Sequence, residues 1–375
     1  MSFMPIALVG QGCVLPGAPN PDALWRAVAA GQDLTTPVPR GAWLIDPAKI
    51  IGGDGDIFRG ETRSAPCRGG FVTGFEDVFD PTGFQLPAED VVSLDRSVQW
   101  LFEASRQAVR DARCDNLADR KTAVVLGNNA YPSASLVDIA NQVWGEEPLG
   151  LSSLPSQASA EGRRFWANRF SAGRPAHLVA RAFAANGPAF CLDAACASSL
   201  YAVKLACDYL QDGVADVVLA GAYSGTDNIF LHLGFAEINA LSPTGMSRPF
   251  SRQADGLLPA EGAAMLVLKR LDDAVRDGDR IHAVIRGVGL SNDGRGGGLL
   301  APDKDGQIAA IRRAYELANV DPASISLLEC HATGTPTGDP VELESAAAVF
   351  GRIQDLPVGS LNSNVGHLLT AAGMG

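Results

Sequence analysis

The chain has 375 residues, of which 46% are hydrophobic, 19% are charged and 41 are glycine, a balance that suits one large or two fused compact α/β units and excludes long disordered stretches. A formal charge of −12 argues against a nucleic-acid partner, which would require a broad Lys/Arg surface. Seven cysteines (13, 67, 114, 191, 196, 207 and 330), an odd number without a Cys-x-x-Cys pair, indicate a reducing compartment and no disulfide framework.

In chain order, the opening MSFMPIALVGQGC lacks a basic n-region, so Ile6 to Gly10 reads as a first strand rather than a signal peptide. Pro21 to Ala30 reads as a helix, and 31–68, rich in Gly, Pro and charge, as an irregular excursion. Strands follow at Thr122 to Gly127 and Ala189 to Ala194, a helix from about Cys196 to Asp212, and a strand at Ala215 to Gly221. After Gly256 the pattern restarts, with strands at Ala264 to Lys269 and Ala283 to Gly289, a helix at Gln307 to Ala318 and a strand at Ile325 to Cys330. The strands are continuous apolar runs, as expected when both faces of a sheet are covered by helices. No run approaches the ~20 apolar residues needed to cross a bilayer. The expected protein is soluble and cytoplasmic.

Three segments carry chemistry. In Leu192-Asp193-Ala194-Ala195-Cys196-Ala197-Ser198-Ser199-Leu200 a strand ends and an apolar helix begins at once. Apolar residues occupy nearly every face of that helix, which predicts full burial. A thiol at its amino end would meet unpaired N–H groups and the positive end of the dipole, both favouring reactive thiolate. A small core cysteine at a tight junction is the other reading. In Glu329-Cys330-His331-Ala332-Thr333-Gly334-Thr335-Pro336-Thr337-Gly338-Asp339 a strand delivers His331 into a loop with hydroxyls at Thr333 and Thr335. Asn362-Ser363-Asn364-Val365-Gly366-His367 reads as a strand running into a glycine turn that ends in histidine. His177, His232 and His282 read as structural. Cys196 lies far along the chain from both histidines, and the histidines lack a short helical spacing, which argues against zinc. A cysteine with histidine leaves protease, acyltransferase or condensing enzyme, and a papain-type protease would need its cysteine near the start of the mature chain.

At these three motifs the sequence resembles the β-ketoacyl synthases of polyketide and fatty-acid assembly lines, over Pro5 to Gly375. Ser242-Pro243, Arg248-Pro249-Phe250, Ala254-Asp255-Gly256 and Glu261-Gly262 match in family order. The segments around Cys196 and His-Leu-Leu-Thr-Ala-Ala-Gly are similar to ketosynthases of polyunsaturated-fatty-acid synthases and related iterative polyketide systems. The resemblance implies a thiolase-like α/β fold of two similar halves in αβαβα layers, with residues 1–255 holding Cys196 and 256–375 holding both histidines. It implies that Cys196 takes an acyl chain from phosphopantetheine, that His331 and His367 support malonyl decarboxylation, and that Thr333 and Thr335 hold the pantetheine arm. It further implies a homodimer served by an acyl carrier protein with acyl and malonyl thioesters, and no cofactor or metal bound by the domain itself. An acidic carrier would need a basic patch, for which Arg163, Arg164, Arg169 and Arg174 are candidates beside a plain solvated helix face.

Three departures from the family stand out. The chain ends at Gly375 where the family continues through a Gly-rich loop lining the site, so a C-terminally incomplete second half with exposed apolar surface is expected. Asn362 stands where the family has lysine beside the acidic Glu342, which raises a non-elongating, transacylating gatekeeper as the alternative function. The third departure is smaller: the run at Ser93-Leu94-Asp95-Arg96-Ser97 is altered from the usual one.

Overall fold

The computed structural model describes residues 3–40, 42, 68–114, 116–129, 172–225, 228–294, 301–351 and 355–375. Its strands are β1 (Ile6–Val14), β2 (Thr36–Pro37), β3 (Arg68–Gly69), β4 (Thr122–Gly127), β5 (Ala189–Leu192), β6 (Val217–Ser224), β7 (Gly262–Arg270), β8 (Ala283–Ile285), β9 (Leu328–Glu329) and β10 (Val358–Gly359). Six of them form one mixed sheet in the order β5-β4-β6-β7-β1-β8. β4 runs parallel to both β5 and β6, whereas β7 is antiparallel to β6 and β1, and β8 is antiparallel to β1. β9 and β10 pair separately and in parallel. β7, which the sequence placed after the division at 255/256, therefore hydrogen-bonds into the first sheet. Most of the excursion expected over 31–68, with Cys67, lies outside the described residues, as do Arg163, Arg164 and Arg169; its two ends meet as the β2–β3 pair.

The central strands are buried because both sheet faces carry a helix. The Arg96–Asp111 helix buries Trp100, Leu101 and Phe102 with Leu126, Leu219 and Met265 on one side. On the other, the Ser198–Gln211 helix buries Ala202, Val203, Ala206, Cys207 and Leu210 with Val125, Val218 and Leu268. Each such large side chain contributes roughly 1.5–3 kcal/mol of burial. The full burial that the sequence predicts for the Ser198–Gln211 helix does not hold: Leu200 is 48% exposed, and Tyr201, Leu205 and Tyr209 are half-buried. A third cluster joins Cys13, Leu15, Ala222, Ala260 and Ala264, on and beside the six-stranded sheet, to Val365, Leu368 and Ala371 near the C-terminus. That cluster carries the last motif onto the first sheet. The segment after His367, where exposed apolar surface was expected, is buried at Leu368, Leu369, Thr370 and Ala371. Among the described residues no helix is long and apolar enough to cross a membrane.

The first helix layer sits hard against β1. A Cβ on Gly12 would lie 2.1 Å from the Ala104 carbonyl oxygen, inside the helix backbone. Gly12→Ala should therefore push the Arg96–Asp111 helix off the sheet and lower unfolding free energy by about 1–3 kcal/mol, the usual penalty of overpacking. Chemical denaturation of the variant measures it, and an unshifted midpoint would contradict this packing.

Candidate active site

Cys196 sits in a 3-10 turn, Ala195–Ala197, between the end of β5 and the helix that starts at Ser198. Small residues are required here because the chain reverses within a few residues. Ala195 adopts φ 51°, in the left-handed region, and the turn is tied by Ser198, whose hydroxyl accepts from Ala194 N at 2.8 Å and donates to Ala195 O at 2.6 Å. The Asp193 carboxylate accepts from Ala195 N and from Asn129 Nδ2, both at 2.9 Å.

His331 leaves the end of β9, and Ala332 after it takes φ 33°. The Glu342 carboxylate accepts from His331 N and Ala332 N, each at 2.7 Å, while Asn362 Nδ2 donates to His331 O. His331 is therefore gripped through its backbone on both sides. The segment leading to His367 is not a strand. Asn362–Val365 is a single helical turn, closed by Asn364 N and Val365 N donating to Leu361 O at 2.9 and 3.1 Å. It forms because Ser363 Oγ donates to Ser360 O at 2.7 Å, folding the polar run back on itself where an extended course would leave it unpaired. Gly366, at φ 83°, then turns the chain so that His367 N donates to Leu258 O at 2.6 Å and His367 O accepts from Ala260 N at 2.8 Å.

The fold brings these three side chains together. Cys196 Sγ lies 2.9 Å from His367 Nε2, the two imidazole centroids are 4.9 Å apart, and one donor atom from each of Cys196, His331 and His367 lies within 4.8 Å of the others. Cys196 and His331 border a cavity of about 470 Å³ lined also by Ala197, Leu200, Asn362 and Gly373, with His367 buried behind them. Thr333 and Thr335 are not among its lining residues; their hydroxyls lie 3.3 Å from each other, and Thr335 Oγ1 accepts from Gly338 N at 3.2 Å. The other histidines stay apart: His232 bonds Arg68 O at 3.0 Å, His282 pairs with Asp111 at 2.7 Å, and His177 is exposed.

The electrostatics correct the expectation for the thiol. Burial pushes Cys196 up to about 11, with the charge of Asp193 adding to it and only a backbone N–H acting against it. A helix start stabilises thiolate, but enclosure removes more hydration than one turn of N–H groups restores. Burial drives His367 well below the usual imidazole range, with His331 reinforcing it; His331 keeps surface open to solvent, yet loss of water around its ring within the cavity lowers it too, against which Asp339 acts. The resting set is thus a neutral thiol and two neutral imidazoles. His367 Nδ1 is buried without a hydrogen-bond partner among the described residues. An orphaned N–H is costlier than an orphaned acceptor, so the proton belongs on Nε2, facing Sγ.

Acidity does not set Cys196 apart: burial raises Cys13, Cys207 and Cys330 to about 12 and Cys191 to about 11, and only Cys13, Cys207 and Cys330 are more deeply buried than Cys196. The six described cysteines are free thiols.

Sequence reasoning missed Asp339, buried at 4% exposure, whose carboxylate accepts from Gly334 N at 3.0 Å and Phe250 N at 2.7 Å and so locks the His331 loop to the 242–256 segment. Its signal was the Gly-Asp-Pro that opens a helix. The Glu342 carboxylate answers the question posed by Asn362: backbone amides, not a lysine or the Asn362 amide, satisfy it.

Burial outweighs those two amides and holds Glu342 above the usual carboxylate range. A carboxyl raised on folding stabilises the native state below its unfolded value and loses that contribution as pH rises through its folded value. Glu342→Gln should remove this fall in stability with pH, and should cost about 1–3 kcal/mol because an amide can accept from only one of the two N–H groups. Denaturation midpoints across the acidic range test both; an unchanged pH slope would remove Glu342 from this account.

Comparison with known proteins agrees with this geometry. Residues 4–274 match the β-ketoacyl synthase N-terminal domain and residues 282–375 its C-terminal domain. A mycocerosic acid synthase-like polyketide synthase of Mycolicibacterium smegmatis is 37% identical over 98% of this chain, which spans 16% of that protein. Among solved structures, the PfaC keto synthase-chain length factor superposes with a TM-score of 0.87 at 39% identity, over 99% of this chain and 40% of that one. The oxazolomycin ketosynthase domain OzmH KS7 of Streptomyces albus JA3453 gives 0.82 at 29% identity, over 98% and 62%.

A thiolase-like mixed α/β fold that presents a cysteine beside two histidines defines a condensing enzyme of the acyltransferase class. The chain belongs to the β-ketoacyl synthase family and is similar to polyketide synthases and to solved ketosynthase domains.

Proposed function

We propose that the chain performs decarboxylative Claisen condensation between an acyl thioester held on Cys196 and a malonyl-type thioester presented by an acyl carrier protein. The observation that carries this is the Cys196 Sγ to His367 Nε2 distance of 2.9 Å, with His331 in the same cluster on the cavity wall. In the first half-reaction, Cys196 sulfur attacks the incoming thioester carbonyl, the phosphopantetheine thiolate leaves, and the thiol proton passes to it. The Nε2–H of His367 supports sulfur as negative charge gathers there. In the second, the malonyl thioester oxygen occupies the space between the imidazoles, whose N–H groups meet charge where it develops as carbon dioxide leaves. The carbanion equivalent then attacks the acyl carbonyl, the Cys196–acyl bond breaks, and the sulfur regains a proton.

Glu342 and Asn362 are positioning residues acting through the His331 backbone. Thr333 and Thr335 are assigned to the pantetheine arm. Family membership also supports a homodimer in the cytoplasm, with a nucleophile half and a histidine half. It is likewise the basis for carrier-bound substrates and for a domain that needs no cofactor of its own. A non-elongating transacylase is not favoured, since Asn362 leaves Glu342 satisfied and all three reacting side chains are assembled.

The test supplies an acyl thioester and a malonyl-carrier and follows carbon dioxide release together with the mass of the β-ketoacyl product. Acyl loading of Cys196 with no carbon dioxide release would overturn the condensing role.

A further inference from the structure

Distance along the chain argued against a metal site, but folding abolishes that distance. One soft thiol and two neutral imidazoles stand with their donor atoms within 4.8 Å of one another, half-buried at Cys196, exposed at His331 and buried at His367. We propose that Cys196, His331 and His367 form a binding site for a single Zn²⁺ ion, and that the ion is a reversible inhibitor of acyl loading. Sulfur with two imidazole nitrogens is the donor set zinc selects, with water in the fourth position.

Zn–S near 2.3 Å and Zn–N near 2.0–2.1 Å place tetrahedral ligand atoms roughly 3.3–3.6 Å apart. The 2.9 Å Sγ···Nε2 contact would open by roughly 0.6 Å to reach that spacing. The wider separations would close by side-chain rotation, with no rearrangement of the fold. The cavity bordered by Cys196 and His331 leaves an open side for the water ligand. Binding replaces the S–H bond with a Zn–S bond, moves the His367 proton from Nε2 to Nδ1 so that Nε2 can ligate, and releases one proton to solvent.

The site is thus a different use of the reacting side chains. Inhibition rests on Cys196 being the nucleophile, whereas binding rests on geometry alone. Equilibrium dialysis of the chain against Zn²⁺ should give one ion per chain with release of one proton. Cobalt substitution should give a thiolate-to-metal charge-transfer band. Zn²⁺ should also protect Cys196 from iodoacetamide in peptide mapping, and EDTA should restore labelling. His331→Ala should weaken binding by at least about 10–100-fold, the loss produced by removing mere outer-shell partners of bound metals. Prior alkylation of Cys196 serves as a second route to its removal that avoids any folding defect. Unchanged Zn²⁺ affinity after alkylation or in His331→Ala would overturn the proposal, as would a cobalt complex without a sulfur band. Stoichiometric binding that leaves the rate of acyl loading on Cys196 intact would uphold the metal site and overturn its inhibitory role.

Discussion

Cys196→Ala should abolish covalent acylation, with no residual loading detectable by intact-protein mass spectrometry. The chain holds five other described free thiols, but Cys13, Cys207 and Cys330 are buried and none of the five lies against both imidazoles. Alanine fills the 3-10 turn without strain beyond that already present, so the thermal midpoint should be close to wild type. Because enclosure holds the thiol near 11, alkylation of the wild type by iodoacetamide should accelerate with rising pH up to about that value. A thiol that titrated near neutrality would show that His367 and the turn amides outweigh enclosure. Acylation surviving in Cys196→Ala at a rate near wild type would remove the nucleophile assignment altogether.

The histidines should separate from the thiol when the half-reactions are measured apart. His331→Ala and His367→Ala should each retain acyl transfer to Cys196 yet lose malonyl decarboxylation by on the order of 10²–10³, the loss expected for one oxyanion donor. The two variants should differ in the first half-reaction. His367 touches sulfur directly and His331 does not share that hydrogen bond, so only His367→Ala should slow acyl loading measurably. Carbon dioxide release from a malonyl thioester, followed without acyl donor, isolates the second half-reaction. Near wild-type release in either variant would refute its role there.

Much of this site was legible before folding because the relevant signals are local. An uninterrupted apolar run marks a strand buried on both faces, which is why Thr122 to Gly127 matches β4 residue for residue. The strand-to-helix junction at Cys196 and the loop after His331 were legible for the same reason, small residues and glycine being needed where a chain turns sharply. What escaped depends on distant parts of the chain. The thiol's acidity is decided by enclosure from the His367 segment, 171 residues away, and no reading of the Asp193–Leu200 run contains that. Asn362–Val365 reads in sequence as strand, yet the Ser363 side chain competes for the backbone there and closes a helical turn. Ala195 and Ala332 gave no warning of left-handed backbone, since alanine, unlike glycine or asparagine, advertises no such preference.

Those backbone angles have a consequence for how such a protein ages under selection. Each of the three clustered side chains has a neighbour at positive φ: Ala195 before Cys196, Ala332 after His331 and Gly366 before His367. At two of the three the occupant is alanine, which in the left-handed region forgoes roughly 1–2 kcal/mol that glycine would keep. A population screened for thermal tolerance alone would drift toward glycine at 195 and 332, and its members would denature later. Glycine would also widen the angular range through which the thiol and the imidazole wander, and a condensing centre tolerates displacement poorly. Heat tolerance and turnover should therefore part company at these two positions first, well before the surrounding core registers any change.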